Sequence, residues 1–217
     1  SCKIENLPIT IPEMSQKLGL DRKRYLKYLD INPLTSSRVN DISNMFHQCT
    51  SLTSIPEDLL PATTLADSCY KSMFYYCTAV TVAQTILPAT TLAPSCYEYM
   101  YEYCSKLVSP PQLPAMQLAN SCYKGMFYHC DKLTTAPVLP ALQLAASCYE
   151  EMFYSTRALT QPPELPAMQL ANSCYRNMFY WSVITEAPDL PATELMPNCY
   201  AHMFDNCQSL SSISVGF

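Results

Sequence analysis

The sequence predicts an α/β solenoid, a right-handed coil of stacked repeats with one short parallel strand and one short helix per repeat. The main observation is a phrase of about 26 residues that opens with Leu-Pro-Ala at residues 60, 87, 113, 139, 165 and 190. Two further observations are a stripe of apolar residues and a short alternating segment within each copy. A fixed step of this size indicates stacked units that bury a shared core. We therefore expect the function to lie on an extended surface rather than in a pocket.

The predicted helix of each unit follows the Leu-Pro-Ala triplet. Leu118, Cys122, Met126 and Cys130 are four residues apart, and the other copies repeat the stripe. Such spacing is typical of the buried face of a short helix. Proline is tolerated at a helix start because its missing amide would have no helical acceptor there.

The predicted strand lies in the segment after the helix, as in residues 132–139. Alternation around Leu-Thr favours a strand of three or four residues, and prolines such as Pro137 and Pro162 should end each strand because they cannot donate to a ladder. Stacking would place the strands in a narrow parallel sheet with the helices outside it. Since the chain has only three glycines, we expect Pro, Asn, Asp and Ser at its corners.

The charge one residue after the repeated Tyr alternates in sign from unit to unit. The sequence of this column is Lys71, Glu98, Lys124, Glu150, Arg176 and Ala201. Consecutive stacking would place opposite charges side by side, so the column suggests a register in which neighbouring units are also neighbours in space.

Eleven of the twelve cysteines fall into two columns of the repeat. Thr156 and Ser182 replace Cys in the second column, which a disulfide partner or zinc ligand would not tolerate and a small buried side chain would. This favours reduced cysteines in the core. One or two disulfides between neighbouring units, or a metal site, remain as alternatives.

The predicted domains are an N-terminal cap at residues 1–40, partly helical, and a solenoid at residues 41–217 with a partial first unit and six repeats. The chain starts with Ser and shows no signal-peptide pattern, so we expect a processed or truncated product. The last predicted strand has no cap after it. We expect either a longer native chain or a second molecule at that end.

Composition excludes several classes of function. The net charge is −5 and only 14% of residues are charged, which argues against a nucleic-acid partner. No stretch reaches the ~18 apolar residues of a membrane span. The three histidines occupy non-equivalent positions, and Cys130 beside His129 falls on the core stripe. We therefore expect no enzyme, no cofactor and no metal.

The repeat resembles the BspA-like short leucine-rich repeats of bacterial surface proteins, in the variant built on Met-Phe-x-x-Cys-x-x-Leu-Thr. That motif stands at residues 45–53 and 126–134, and the resemblance covers roughly residues 41–217. It implies an exported, non-enzymatic solenoid of bacteria or their phages and parasites that acts through adhesion or protein recognition. The implied location is extracellular, on a cell surface or on a phage particle.

Aromatic residues just after the predicted helix exceed what packing requires. The candidate partner-binding residues are Tyr76, Tyr103, His129, Tyr154 and Trp181. Such a line is a plausible platform for a protein or glycan on another surface. Partial burial under the neighbouring unit is the competing interpretation. The alternative function is structural: a subunit that self-assembles end to end or laterally into a fibre or phage appendage.

Overall fold

The computed structural model describes residues 43–57, 59–60 and 62–213 as a solenoid of one partial and six full coils. We number coils 1 to 6 from the six Leu-Pro-Ala triplets, and the partial coil precedes coil 1. Each full coil contains a turn segment, at residues 66–77, 93–104, 119–130, 145–156, 171–182 and 196–207. The proposed cap at residues 1–40 lies outside the described residues.

The predicted helix of each repeat unit is wrong. No residue of the described ranges is in a helix, and each turn segment is instead a chain of overlapping four-residue turns. In coil 3, the amide of Met126 donates to the carbonyl of Tyr123 at 3.2 Å, and the amide of Tyr128 donates to that of Gly125 at 3.1 Å. The amides of the residues in between donate to the next coil instead of to their own. Tyr123, Gly125 and Phe127 donate to carbonyls of coil 4 at 2.8–3.0 Å.

Every fourth residue of a turn segment has a positive φ, as the third position of a type II turn requires. Coil 3 has Ser121, Gly125 and His129 at φ of 54–57°, and nineteen non-glycine residues of the described ranges share this conformation. Most are Ser or Asn, as predicted for the corners. Each left-handed residue costs roughly 1–2 kcal/mol, and a net hydrogen bond returns about 0.5–1.5 kcal/mol. The amide ladder between coils is therefore what makes this backbone tolerable.

The predicted strands shrink to isolated parallel bridges. The structure has six of them in its described part, among them Ser54 with Val82, Val82 with Ser109, and Glu186 with Ser212. The parallel sense of the prediction is confirmed at these bridges, but regular strands do not form. Isolated amide bonds, such as Thr134 N to Val108 O at 3.1 Å, join the segments here.

Two columns per turn segment point into the core. In coil 3, Cys122, Tyr123, Met126, Phe127 and Cys130 are all at most 2% exposed. The rings of one column stack through the whole solenoid, with Phe74, Tyr101 and Phe127 at centroid distances of 5.6 and 5.9 Å. The repeat thus builds a continuous core of aromatic and sulfur ladders.

The described cysteines are all free thiols, and all but the half-buried Cys49 are buried. Those of the second column hydrogen-bond to the preceding coil: Cys104 Sγ donates to Phe74 O at 3.2 Å and Cys130 Sγ to Tyr101 O at 3.2 Å. Burial raises the pKa of Cys104 to about 12. At Thr156 the hydroxyl donates instead to Phe153 O of its own coil at 3.0 Å.

The alternating charges pair as the sequence suggests. Lys71 Nζ lies 3.0 Å from Glu98 Oε2, and Lys124 Nζ lies 3.2 Å from Glu150 Oε1. Glu150 also lies 3.8 Å from Arg176 and has a side chain only 7% exposed. These pairs join consecutive coils, which confirms the predicted register.

Candidate binding surface

An outer row of rings follows the end of the turn segments across the solenoid. We call it the aromatic ridge; it comprises His47, Tyr75, Tyr76, Tyr103, Tyr128, His129, Tyr154, Tyr180 and Trp181. Tyr128 stacks on Tyr154 at 4.4 Å and Tyr154 on Tyr180 at 4.8 Å. Ring contacts therefore connect successive coils on the surface as well as in the core.

All five predicted site residues lie on the ridge. Tyr76 and Trp181 are 42% and 51% exposed. Tyr103, His129 and Tyr154 are half-buried, since each contacts rings of a neighbouring coil, as where Tyr103 stacks on His129 at 4.8 Å. Burial lowers the pKa of His129, which favours the neutral ring. The competing interpretation of partial burial therefore holds for three of the five, and the ridge remains accessible at both ends.

The positions of these side chains follow from where they stand in the turn segment. Tyr76, Tyr103, His129 and Trp181 have φ of 54–59° and occupy the last left-handed position of their turn segments. The residues just before them, such as Tyr128 and Tyr154, form the second file of the ridge. Because both files recur once per coil, equivalent rings of successive coils lie next to each other.

The second file is interrupted in coil 2, where Glu102 takes the place of a ring. Its neighbours in the file are Tyr75 in coil 1 and Tyr128 in coil 3. Tyr103 makes edge-to-face contacts with both rings, at centroid distances of 5.9 and 6.0 Å. Burial, and second the charge of Glu151, raise the pKa of Glu102 to about 7.

Sequence reasoning missed the residues that lie near Glu102. Tyr99 reaches across coil 3 and donates its hydroxyl to Glu151 Oε2 in coil 4 at 2.7 Å. Its ring lies so close to Gly125 that a Cβ there would be 2.1 Å from a ring carbon. The available signal was Gly125 itself, the one glycine at a left-handed position among the described residues.

A shallow groove of about 310 Å³ adjoins the end of the ridge. Arg157, Trp181 and Asn206 are among the residues that line it. The described part of the chain contains no cluster of three or more His, Cys, Asp or Glu residues that could hold a metal ion. Nor do these residues form a helix with the length and apolar character needed to cross a membrane.

No protein-family model and no curated protein sequence matches the chain. Among solved structures, the chain is similar to a leucine-rich cell-surface protein of Faecalibacterium prausnitzii, at 18% identity and a TM-score of 0.43, over 76% of this chain and 43% of that one. It is also similar to a leucine-rich repeat protein of T. pallidum, at 14% identity and a TM-score of 0.36, over 63% of this chain and 57% of that one.

A third similar structure is a leucine-rich repeat protein of Bacteroides ovatus, at 10% identity and a TM-score of 0.33, over 80% of this chain and 63% of that one. The chain thus spans less than two thirds of each of these proteins. The assignment of the fold as a solenoid rests on the hydrogen bonds between coils.

Proposed function

We propose that the chain is a non-enzymatic binding module, secreted or on a cell or phage surface, that recognises a protein or glycan through the aromatic ridge. The observation that carries the proposal is the ridge itself: stacked rings along an outer surface, with Trp181 51% exposed. Aromatic side chains anchor interfaces because they supply large contact areas at a small cost in conformational entropy. The motif resemblance supports the location.

Preorganisation is a second support for the proposal. Rings that already stack on the next coil lose little freedom when a partner covers them, so less of the binding energy is spent on ordering. Tyr154 is held between Tyr128 and Tyr180 at 4.4 and 4.8 Å. A rigid ridge of this kind suits an extended partner that contacts several coils at once.

The test is a glycan and host-protein array probed with the wild-type chain and with Tyr76→Ala and Trp181→Ala. We expect each variant to lose at least tenfold in affinity for the hits. Val138→Ala is the matched control, because Val138 is 78% exposed on a different part of its coil. Hits that keep their affinity in both ridge variants would overturn the proposal.

Self-assembly is a second candidate function, favoured by the last coil. In coil 5, Ser173, Tyr175, Asn177, Phe179 and Trp181 donate their amides to coil 6. The equivalent amides of coil 6 have no acceptor among the described residues; they belong to Asn198, Tyr200, His202, Phe204 and Asn206. Leu195 and Ile213 are each 59% exposed beside them. A further coil, from a continuation of the same chain or from a second copy, would pair with these amides.

Light scattering after size-exclusion chromatography tests the assembly candidate. Open-ended stacking predicts a mass that rises with protein concentration. Leu195→Lys, which adds a charge at an exposed position just before the last turn segment, should lower that mass. A constant monomer mass at every concentration would exclude assembly and leave the binding proposal untouched.

A further inference from the structure

We propose that the interruption of the aromatic ridge at Glu102 binds an arginine side chain of a protein partner. The inference rests on the proposed function, since it assigns a ligand class to part of the same ridge. The site consists of the Glu102 carboxylate with Tyr75 and Tyr103 near it, and of Tyr128, which contacts Tyr103.

The shape of the site follows from the file of rings. In coils 3, 4 and 5 the file holds Tyr128, Tyr154 and Tyr180, stacked at 4.4 and 4.8 Å with interplanar angles of 12° and 9°. Coil 2 has Glu102 at this position, and the ring of Tyr103 contacts both Tyr75 and Tyr128 edge to face, at 5.9 and 6.0 Å. A flat cation held by Glu102 would lie against these rings at the outer surface.

Glu102 differs from the nearby carboxylates, each of which has a partner among the described residues. Glu98 and Glu150 pair with Lys71 and Lys124 at 3.0 and 3.2 Å. Glu151 accepts the hydroxyl of Tyr99. The side chain of Glu102 has no hydrogen bond or ion pair within the described residues, although it is half-buried. A half-buried carboxylate without a partner costs free energy that a bound cation would recover.

A guanidinium fits these features better than other cations. It is planar, stacks on aromatic faces and can donate two parallel hydrogen bonds to one carboxylate. Attraction of the cation to the surrounding ring faces adds to the binding. The net charge of −5 also favours a basic partner. A neutral sugar would use the rings and leave the carboxylate unpaired.

The experiment measures binding of an alternating Arg-Gly peptide to the full chain by titration calorimetry. The same peptide with citrulline in place of arginine keeps the shape and removes the charge. We expect the arginine peptide to bind and the citrulline peptide to bind at least tenfold more weakly. Glu102→Gln should lower the affinity for arginine at least tenfold, whereas Glu164→Gln, an exposed carboxylate away from the ridge, should leave it unchanged.

Affinity should also rise between pH 6 and pH 8 in the wild-type chain and stay flat in Glu102→Gln. The other titratable groups that interact with Glu102 are Glu151, Tyr75, Tyr99, Tyr103 and Cys130. Equal binding of both peptides, or wild-type affinity in Glu102→Gln, overturns the inference. Choline that binds as tightly as the arginine peptide would show a general cation site and overturn the choice of arginine.

The two proposals fail in different ways. If Trp181→Ala abolishes partner binding and Glu102→Gln does not, the ridge stands and the arginine site falls. If neither variant affects the array hits, the ridge itself is wrong.

Discussion

At the scale of single residues, the departures from the repeat locate the unusual chemistry. Three of them lie close together in coil 2: Tyr101 where other coils have Phe, Glu102 where coils 1, 3, 4 and 5 have a ring, and Tyr99 over Gly125. Each differs in polarity or size from the residues of most other coils at its position. The other repeat positions pack in the same way from coil to coil. Substitutions at these three positions should therefore change stability or binding in ways that the repeat pattern does not predict.

Replacing Tyr101 with Phe should stabilise the chain. Tyr101 is fully buried in the ladder between Phe74 and Phe127, and its hydroxyl has no hydrogen-bond partner. Leaving a buried hydroxyl unsatisfied costs about 1–3 kcal/mol, so the free energy of unfolding should rise by roughly that amount. Urea unfolding measures it, with Tyr103→Phe on the ridge as the control. A less stable Tyr101→Phe would show that the hydroxyl has a partner in solution.

Glu102→Gln should stabilise the chain at pH 8 and not at pH 4.5. The pKa of Glu102 is raised from 4.5 to about 7, so the folded state holds the proton more tightly than the unfolded state. The contribution of this group to stability is therefore complete below pH 4.5 and is lost as the pH rises through 7. Gln stays uncharged at every pH, so the variant does not lose this contribution as the pH rises.

Thermal unfolding at both pH values checks the sign. A wild-type melting temperature that falls between pH 5 and pH 8, and a smaller fall in Glu102→Gln, are the expected results. An identical pH profile in the two proteins would mean that Glu102 titrates normally.

At the scale of elements, the four-residue period explains both the success and the failure of sequence reasoning. The stripe from Leu118 to Cys130 correctly identified the buried column. It did not identify the backbone, because an α-helix and a chain of overlapping turns both bring every fourth residue near one face. Over 12 residues, however, a helix of 3.6 residues per turn drifts by about 120°. A strict period of four sustained from Leu118 to Cys130 was therefore evidence against a helix.

The candidate site was predictable only in part for the same reason. Aromatic identity at Tyr76, Tyr103 and Trp181 was enough to place the ridge on one surface. The contact of Tyr99 with Glu151 spans two coils, and no local pattern encodes the direction in which that side chain points. The effect of Glu151 on the pKa of Glu102 likewise joins residues two coils apart.

The cysteine columns should be unreactive in the folded chain. Burial raises the pKa of Cys96 and Cys104 to about 12, so almost no thiolate forms at pH 8. With Cys2 replaced by Ser, a thiol reagent such as Ellman's reagent should modify at most the half-buried Cys49 before unfolding. In urea it should modify all eleven remaining thiols. Fast modification of several thiols in the native state would contradict the buried ladders.

At the scale of the whole molecule, the solenoid is a one-dimensional stack in which each coil completes the hydrogen bonds of the one before it. Stability in such a stack is close to a sum of coil terms and junction terms. The junction between coils 3 and 4 contains amide bonds, two stacked ring columns and the pair of Lys124 with Glu150. The junction terms therefore depend on the order of the coils, because the charge column alternates.

Duplication of coils tests this additivity and the role of the charges together. Inserting a second copy of residues 113–164 after Glu164 adds two coils and preserves the alternation, since Glu150 is then followed by a new Lys and a new Glu. Inserting only residues 139–164 adds one coil and places two of the nearly buried Glu150 carboxylates side by side. Like charges in neighbouring, poorly solvated positions repel, so this junction should be weaker than the natural ones.

Urea unfolding separates the two outcomes. Both insertions should increase the dependence of the unfolding free energy on urea, because more surface is buried. The two-coil insertion should also raise the midpoint, whereas the one-coil insertion should raise it less or lower it. Changing the inserted copy of Glu150 to Gln should restore part of the loss. If the one-coil insertion stabilises as much per coil as the two-coil insertion, the alternating charges make no contribution to register, and stacking order is set by the aromatic and sulfur ladders alone.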